Sequence, residues 1–248
     1  MENPEKELKK WWNYASDYYQ KEIDNDKMSD VNYGPFGSNE NKLRLLGNVK
    51  KKNILELGCG GGQVSISLAK KGAKCIGIDV SDKQIAIALK NAKKEKVDVD
   101  FKLMPFSAIE KLGKERFDII ISVMALQYCG NLKKLLNSAN KLLKSGGKFV
   151  FSIEHPFYLL INPNNMEIEE SYFSEGLRRE TEQGRKENYI YFHRKLSTIL
   201  NQLIKNGFKI KKLVEPLEKH DRIWGIGYRM ALVNRIGPTI IFSCVKNK

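Results

Sequence analysis

A short apolar segment that ends in a run of glycines constrains this chain more than any other feature of its sequence. Residues 53–57 read NILEL, and they lead through GCGGG at 58–62 into the helical pattern of 63–71. A strand, a glycine turn and a helix in this order present backbone N–H groups at the start of the helix. Glycine tolerates positive φ there and lets a ligand approach the main chain. The segment therefore predicts an α/β protein whose turn either binds a ligand or serves packing alone.

Apolar runs of strand length alternate with helical patterns from about residue 50 onward, which is typical of a parallel sheet with crossover helices. The apolar spacing predicts helices at 63–71, 132–143 and 196–206, and a further one that Ser81 and Asp82 can cap. The run FDIIISV at 117–123 is typical of a buried central strand. We expect seven strands, at 53–57, 75–80, 97–103, 117–123, 148–153, 208–214 and 239–245.

Two segments interrupt this alternation. Residues 1–48 contain no predicted strand, and their aromatic amphipathic stretch from Trp11 to Tyr19 predicts a helix that packs on the domain, covers a ligand, or does both. Residues 154–194 are polar, charged and aromatic, and this stretch is too long for a simple connection. We therefore divide the chain into an N-terminal helical lid segment (1–48), a core (49–153), a cap insertion (154–194) and the C-terminal part of the core (195–248).

The composition narrows the choice of partners. Lys and Arg number 43 against 29 Asp and Glu, a formal net charge of +14, and lysine carries most of the excess. Proteins that read bases or phosphates bidentately favour arginine, so we interpret the lysines as solvated helix faces and keep a nucleic-acid track as the alternative. The four scattered cysteines indicate free thiols in a reducing cytoplasm, not disulfides or a zinc site: Cys59, Cys75, Cys129 and Cys244.

Membrane and secretory segments are not expected. No apolar run in the sequence approaches the roughly 18 residues that a membrane span needs. The first residues, MENPEKELKKWW, are charged and lack the apolar region of a signal peptide. We therefore expect a cytoplasmic protein without a membrane span.

Two carboxylates beside the glycine turn indicate which ligand it holds. Asp79 closes the second predicted strand, 21 positions after Gly58, where a carboxylate can accept both ribose hydroxyls of an adenosine. Glu56 lies two positions before Gly58. A carboxylate there would repel a pyrophosphate but suits the sulfonium and ammonium groups of S-adenosylmethionine. The dinucleotide pattern G-x-G-x-x-G also fails, because Gln63 occupies its third glycine position.

At this point the sequence resembles the class I S-adenosylmethionine-dependent methyltransferases. Residues 53–81 are similar to the first two motifs of that class, and residues 117–129 and 142–156 resemble its fourth and fifth strand motifs. The nearest group is the small-molecule methyltransferases related to those of ubiquinone and menaquinone biosynthesis. The resemblance implies a Rossmann-like α/β fold: a seven-stranded, mostly parallel sheet with helices on both faces and a cap insertion after strand five. It also implies S-adenosylmethionine as cofactor and direct in-line transfer to a small-molecule acceptor.

The resemblance also implies roles for individual residues. In that family the turn cradles the methionine part of the cofactor, and the acidic residue that ends strand two binds ribose, here Asp79. Relatives often carry an Asp-Ala pair after strand three, whereas this chain reads LMPFSA at 103–108, so we expect Met104 or Phe106 and the backbone near Ser107 to hold the adenine. The expected cofactor-binding residues are Glu56, Gly58, Cys59, Gly60, Asp79, Val80, Phe106, Ser107 and Val123.

The acceptor site is less constrained, because methyl transfer needs alignment and desolvation but no protein nucleophile. A base helps where the acceptor loses a proton, and His155 is the candidate because it leaves strand five beside a proline-fixed turn. Arg178 and Arg179 are expected to pair with Glu175 and Glu180. Further candidates at strand ends and in the insertion are Met124, Gln127, Tyr128, Glu154, Pro156, Tyr172, Phe173 and Arg185. His193 also lies in the insertion, but neither it nor His220 has supporting neighbours in the sequence, so we assign them no role.

The sequence is compatible with three functions. The leading hypothesis is a methyltransferase for a small molecule. The alternative is an RNA methyltransferase that uses the same donor site and tracks phosphates with its lysines, although the sequence lacks the N/D-P-P-Y/F signature common in amino-group methylation. A third is a non-enzymatic binding protein that keeps the fold. The oligomeric state and the methylated atom are left open at this stage.

Overall fold

A central sheet organises the part of the chain that the structure, a computed structural model, describes: residues 3–22, 28–162, 164–180, 187–218 and 230–247. The strands are β1 (Asn53–Leu57), β2 (Lys74–Asp79), β3 (Asp100–Leu103), β4 (Phe117–Val123), β5 (Leu143–Glu154), β6 (Gly176–Glu180), β7 (Tyr189–His193), β8 (Phe208–Val214) and β9 (Thr239–Lys246). The helices are α1 (Pro4–Glu22), α2 (Glu40–Leu43), α3 (Gln63–Lys70), α4 (Asp82–Glu95), α5 (Leu132–Leu142), α6 (Leu196–Lys205) and α7 (Met230–Val233).

The sheet has seven strands in the order β3-β2-β1-β4-β5-β9-β8. The four pairings from β3 to β5 are parallel, and β9 lies antiparallel to both β5 and β8. This confirms the predicted α/β fold with a mostly parallel sheet. The carboxyl ends of β1, β2 and β4 therefore meet at one edge, which is where open parallel sheets bind ligands.

Both faces of the sheet are covered, because successive side chains of a strand point to opposite sides. Leu55 and Leu57 of β1 join a core cluster with α5 and α6, which includes the parallel stacked rings of Phe151 and Phe242. Ile54 of the same strand joins a second cluster on the other face, with α3 and the segment before β1. This alternation decides which way Glu56 points.

Most predicted elements are present, and two boundaries move for local reasons. Strand β3 begins at Asp100, not at 97, because Val97 N–H donates to the Ala92 carbonyl and closes the end of α4, with Lys96 at φ 54°. Strand β5 begins at Leu143, not at 148, because Leu143 already pairs with Phe117 before a register shift.

The N-terminal segment contains the predicted helix, α1, which packs against α4 and β7. The cap insertion contains the two-stranded sheet β6–β7. Arg179 of β6 forms two hydrogen bonds of 2.8 Å with the carboxylate of Glu7 in α1, and Trp11 lies edge-on against Tyr189, with 5.6 Å between ring centroids. The helix and the insertion thus contact each other directly, while the four-part division itself stays a prediction.

A buried carboxylate organises the chain between α1 and β1. Glu40 is 7% exposed and accepts hydrogen bonds from the Tyr33 hydroxyl at 2.7 Å and from the N–H groups of Leu45 and Leu46 at 3.0 and 2.8 Å. Gly47 N–H adds a longer bond of 3.3 Å. A carboxylate with four donors replaces its lost hydration by protein groups.

We expect Glu40→Ala to lower the free energy of unfolding by about 3 kcal/mol, because it leaves several buried donors without an acceptor. Urea unfolding at neutral pH measures this. Glu110→Ala, which removes an exposed carboxylate, is the matched control and should change stability by less than about 0.5 kcal/mol. Equal effects of the two substitutions would contradict the organising role of Glu40.

Candidate active site

A cavity of about 490 Å³ lies at the carboxyl ends of β1, β2 and β4. Its volume falls in the range of roughly 300–1,000 Å³ that small-molecule sites occupy. One part of its lining comes from the glycine turn and the strand ends: Gly58, Gly60, Asp79, Val80, Gln84, Met104, Pro105, Phe106, Ser107, Val123 and Ala125. The other part comes from α1, the segment after β4, the start of α5 and β7, and includes Leu8, Trp12, Tyr19, Met124, Tyr128, Lys134 and Phe192.

The glycine turn adopts a backbone that other residues would strain. Gly58, Gly60 and Gly62 have φ values of +72°, +50° and +85°. A Cβ atom on Gly58 would lie 2.4 Å from the Cβ of Ala125, so the close approach of β1 and the segment after β4 also requires glycine. The N–H groups of Gly58 and Cys59 both donate to the Ile78 carbonyl at 2.9 Å, which fixes the turn to the end of β2.

Asp79 ends β2 and lines the cavity, as the sequence predicted. Its Oδ2 accepts the Gly60 N–H and its Oδ1 accepts the Ser81 N–H, each at 2.9 Å. Burial raises the pKa of this carboxyl, while the backbone N–H groups of Ser81, Gly60 and Val80 oppose the shift. Each oxygen keeps a lone pair, so the carboxylate can accept two neighbouring hydroxyls, such as those of a ribose.

The wall beside Asp79 is apolar and has no second carboxylate. Met104, Phe106, Ser107 and Val80 all line the cavity there. Met104 N–H donates to the Asp79 carbonyl at 2.8 Å, and this bond holds the segment after β3 against β2. These positions suit a flat aromatic base better than a charged group. The adenosine part of a cofactor therefore fits this half of the cavity.

Glu56 and Cys59 do not reach the cavity, contrary to the sequence-based assignment. Glu56 shares the sheet face of Ile54, is 2% exposed, and accepts the Ser65 N–H at 2.9 Å and the Ser65 hydroxyl. Through these two hydrogen bonds Glu56 holds the first turn of α3 against β1. Burial raises its pKa to about 8. Cys59 is 4% exposed beneath the turn, and burial raises the pKa of its thiol well above the ordinary range.

His155 also lies away from the cavity, so its ring does not reach an acceptor there, contrary to the prediction of a catalytic base. Its ring is 7% exposed, Nε2 lies 2.9 Å from Oε1 of Glu215, and Nδ1 accepts the Phe157 N–H at 3.2 Å. Its backbone N–H donates to the Pro238 carbonyl at 2.7 Å. Both ring nitrogens are engaged, so His155 connects the end of β5 to the segment after β8.

The charged and aromatic candidates of the insertion have structural partners. Arg178 pairs with Glu170 and Arg179 with Glu7, instead of the expected Glu175 and Glu180. The Nε2 atom of buried His193 lies 3.0 Å from the Tyr172 carbonyl oxygen, whereas Phe173 is 78% exposed. None of these described residues lines the cavity, and Arg185 lies outside the described residues.

Helix α1 supplies cavity residues that the sequence did not assign. Gln20 Nε2 donates to Gln84 at 2.8 Å and its Oε1 accepts from Gln63 at 2.6 Å, so the helix lies directly over the glycine turn. Trp12 packs edge-on against Tyr128, with 5.5 Å between centroids. The aromatic spacing of α1 was the available signal. This spacing predicted a helix, but it did not indicate which aromatic ring lines the cavity.

The described residues offer neither a metal-binding cluster nor a membrane-spanning helix. Over the described ranges, no group of three or more His, Cys, Asp or Glu side chains is arranged to hold a metal ion. Among the same residues, none of the helices combines the length and apolar character that a membrane crossing requires. All four cysteines are free and buried.

Comparisons with known proteins agree with this geometry. The family described as "Methyltransferase domain" matches residues 48–207. An uncharacterized protein of Haemophilus influenzae is 32% identical over 195 residues, 73% of this chain and 77% of that protein. A ubiquinone biosynthesis O-methyltransferase of Coxiella burnetii is 33% identical over 104 residues, 42% of this chain and 44% of that protein's length. The crystal structure of an S-adenosylmethionine-dependent methyltransferase from Mesorhizobium loti superposes with a TM-score of 0.69 at 27% identity, covering 82% of this chain and 95% of its own.

The raised pKa of Glu56 predicts that the free energy of unfolding decreases as the pH rises. Its pKa in the folded protein, about 8, exceeds the ordinary 4.5, so the folded state binds more protons between these values and loses stability as pH rises through them. The loss of stability across this pH range is on the order of 5 kcal/mol. Glu56→Gln keeps an acceptor for Ser65 but cannot ionise. Urea unfolding at pH 5 and pH 8 should therefore show a smaller decline for the variant, and parallel pH dependences would contradict the assignment.

Proposed function

This chain belongs to the class I S-adenosylmethionine-dependent methyltransferases, and we propose that it methylates a small molecule held between α1, the segment after β4 and β7. Its methyl donor is S-adenosylmethionine, which when bound supplies a methyl group already activated on a sulfonium. The enzyme's own task is then to align an acceptor in line with that methyl group and to exclude water.

We propose that the glycine turn and the adjacent strand ends hold the donor. Gly58 and Gly60 allow the methionine part to approach the main chain, and Asp79 accepts the ribose hydroxyls. Val80, Phe106 and Ser107 surround the adenine, with Val123 at the end of β4 beside them. Support comes from the shared cavity wall and from the two N–H groups that orient the Asp79 carboxylate.

The aromatic half of the cavity carries the acceptor proposal. Trp12, Tyr128 and Phe192 come from three separate segments and line one chamber that is continuous with the donor half. Apolar aromatic walls favour an acceptor with an aromatic or apolar body. The name of the Coxiella burnetii relative, which refers to ubiquinone biosynthesis, agrees with an acceptor of this kind. We also propose a cytoplasmic location, because free thiols are typical of reducing compartments.

An RNA acceptor is the second candidate, and the contacts of α1 disfavour it. The described contacts of Glu7 with Arg179 and of Gln20 with Gln84 fasten α1 to both the insertion and the core. An RNA substrate needs an open basic groove or a splayed single strand at the site. Among the described residues that line the cavity, Lys134 is the only lysine, so the lining does not form a basic groove.

The experiment is incubation of the purified enzyme and methyl-labelled S-adenosylmethionine with a cell extract, followed by separation of small molecules, RNA and protein. We expect label in the small-molecule fraction. Trp12→Ala should lower that signal at least tenfold without weakening S-adenosylhomocysteine binding, whereas Phe173→Ala, which removes an exposed ring of the insertion, should leave it unchanged. Label confined to RNA would overturn the proposal.

For the donor site, we expect Asp79→Ala to weaken S-adenosylhomocysteine binding at least tenfold, because two charge-assisted hydrogen bonds contribute roughly 1.5–3 kcal/mol. Calorimetry measures this, with Asp98→Ala at an exposed position as the control. NAD should not bind to the wild type. Unchanged affinity in Asp79→Ala, or NAD binding tighter than that of S-adenosylhomocysteine, would contradict the assignment.

A further inference from the structure

A chain of three polar side chains leads away from the aromatic chamber. The Tyr189 hydroxyl donates to Oε2 of Glu154 at 2.9 Å, and the Tyr128 and Tyr189 hydroxyl oxygens lie 3.3 Å apart. Because the Tyr189 proton is committed to the carboxylate, Tyr128 donates to Tyr189. The two rings meet edge-on, with 6.0 Å between their centroids.

The two ends of this chain lie in different places. Tyr128 lines the donor and acceptor cavity, three residues after Ala125, whose methyl group contacts the turn at Gly58. Glu154, at the end of β5, instead borders a separate cavity of about 30 Å³. Gln127 and His193 also line that small cavity, and each has a buried polar atom without a hydrogen-bond partner among the described residues. The small cavity has room for one water molecule, and Gln127 and His193 offer it polar partners beside Glu154.

We propose that Tyr128, Tyr189 and Glu154 form a proton relay, and that the acceptor is a hydroxyl compound of phenolic type that enters the site neutral. This rests on the proposed small-molecule function. As the acceptor oxygen forms its bond to the methyl carbon, the C–S bond breaks and its electron pair stays on sulfur. The hydroxyl proton passes to the Tyr128 oxygen, the Tyr128 proton to Tyr189, and the Tyr189 proton to the Glu154 carboxylate.

The acid–base properties of the three groups suit this sequence of transfers. Burial raises the pKa of Glu154 to about 7, while the Tyr189 hydrogen bond opposes the shift. A base whose pKa lies near neutral pH is partly ionised and can take a proton at little cost. Burial holds the pKa values of Tyr128 and Tyr189 well above 10, so neither ring forms a free tyrosinate and the protons move together. Other titratable or charged groups around Glu154 are Tyr158, Glu180, Tyr191, His193 and Arg194.

A structural role is the alternative, because the same hydrogen bonds join β7 to β5 and to the segment after β4. A structural network would affect every acceptor equally when it is broken. A relay affects only acceptors that carry a proton at the reacting atom. A pair of probes that differ in this property therefore separates the two roles.

The probes are 4-methylphenol, which is neutral at pH 7, and 4-methylbenzenethiol, which ionises near neutral pH and needs no base. We expect Tyr189→Phe and Glu154→Gln to lower methylation of the phenol roughly 100-fold and that of the thiol less than threefold. Tyr191→Phe, on the same strand, is the control and should change neither. In the wild type, turnover of the phenol should rise with pH up to about 7, and Glu154→Gln should abolish this rise. Equal losses with both probes would overturn the relay.

An infrared titration with S-adenosylhomocysteine bound tests the relay without turnover. The spectrum of Glu154→Gln is subtracted from that of the wild type, which cancels the signal of Glu56. The difference should contain one carboxyl band, that of Glu154, which titrates near pH 7. Tyr189→Phe should shift this titration upward, since its hydroxyl stabilises the carboxylate. If the wild type methylates neither probe, the aromatic acceptor proposal fails and this titration decides the relay. Absence of such a carboxyl, or no shift in Tyr189→Phe, would overturn it.

Discussion

The main-chain hydrogen bonds that close the glycine turn onto strand β2 hold the rest of the site in place. Gly58 and Cys59 share the Ile78 carbonyl, and Asp79 then binds the N–H of Gly60, so the turn and the strand end form one rigid unit. The positive φ angles of the turn make glycine necessary, and the close contact with Ala125 brings the segment after β4 to the same edge. The proposed donor and acceptor halves of the cavity become neighbours for this reason.

Two buried carboxylates and one half-buried carboxylate serve three different purposes in this molecule, and their hydrogen-bond partners decide which. Glu40 receives four donors and organises the segment before β1. Glu56 receives the N–H and the hydroxyl of Ser65, and its raised pKa reflects burial that these two donors offset in part. Glu154 accepts a hydrogen bond from the Tyr189 hydroxyl, and Tyr189 leads to the cavity through a second tyrosine, Tyr128. Burial alone does not make a carboxylate functional.

The acceptor chamber depends on contacts between distant parts of the chain. Helix α1 is fastened to the core through Gln20 and to the insertion through Glu7, so one helix closes the cavity and also ties the insertion to the sheet. Trp12 and Phe192 then face the same space although 180 positions separate them in the sequence. Variation in α1 or in the insertion can therefore change the acceptor while the donor half stays constant.

The sequence by itself determined the α/β class, the succession of strands and helices along the chain, the glycine turn and the position of Asp79 at the end of β2, because periodicity, glycine positions and a strand-end acid are local properties of the chain. Only the tertiary structure decided that Glu56 supports α3, that His155 binds Glu215, and that Tyr128 connects through Tyr189 to Glu154. A residue at a strand end can point to either face or along the edge. Its direction is set by the side chains that pack around it, and these come from segments far away in the sequence.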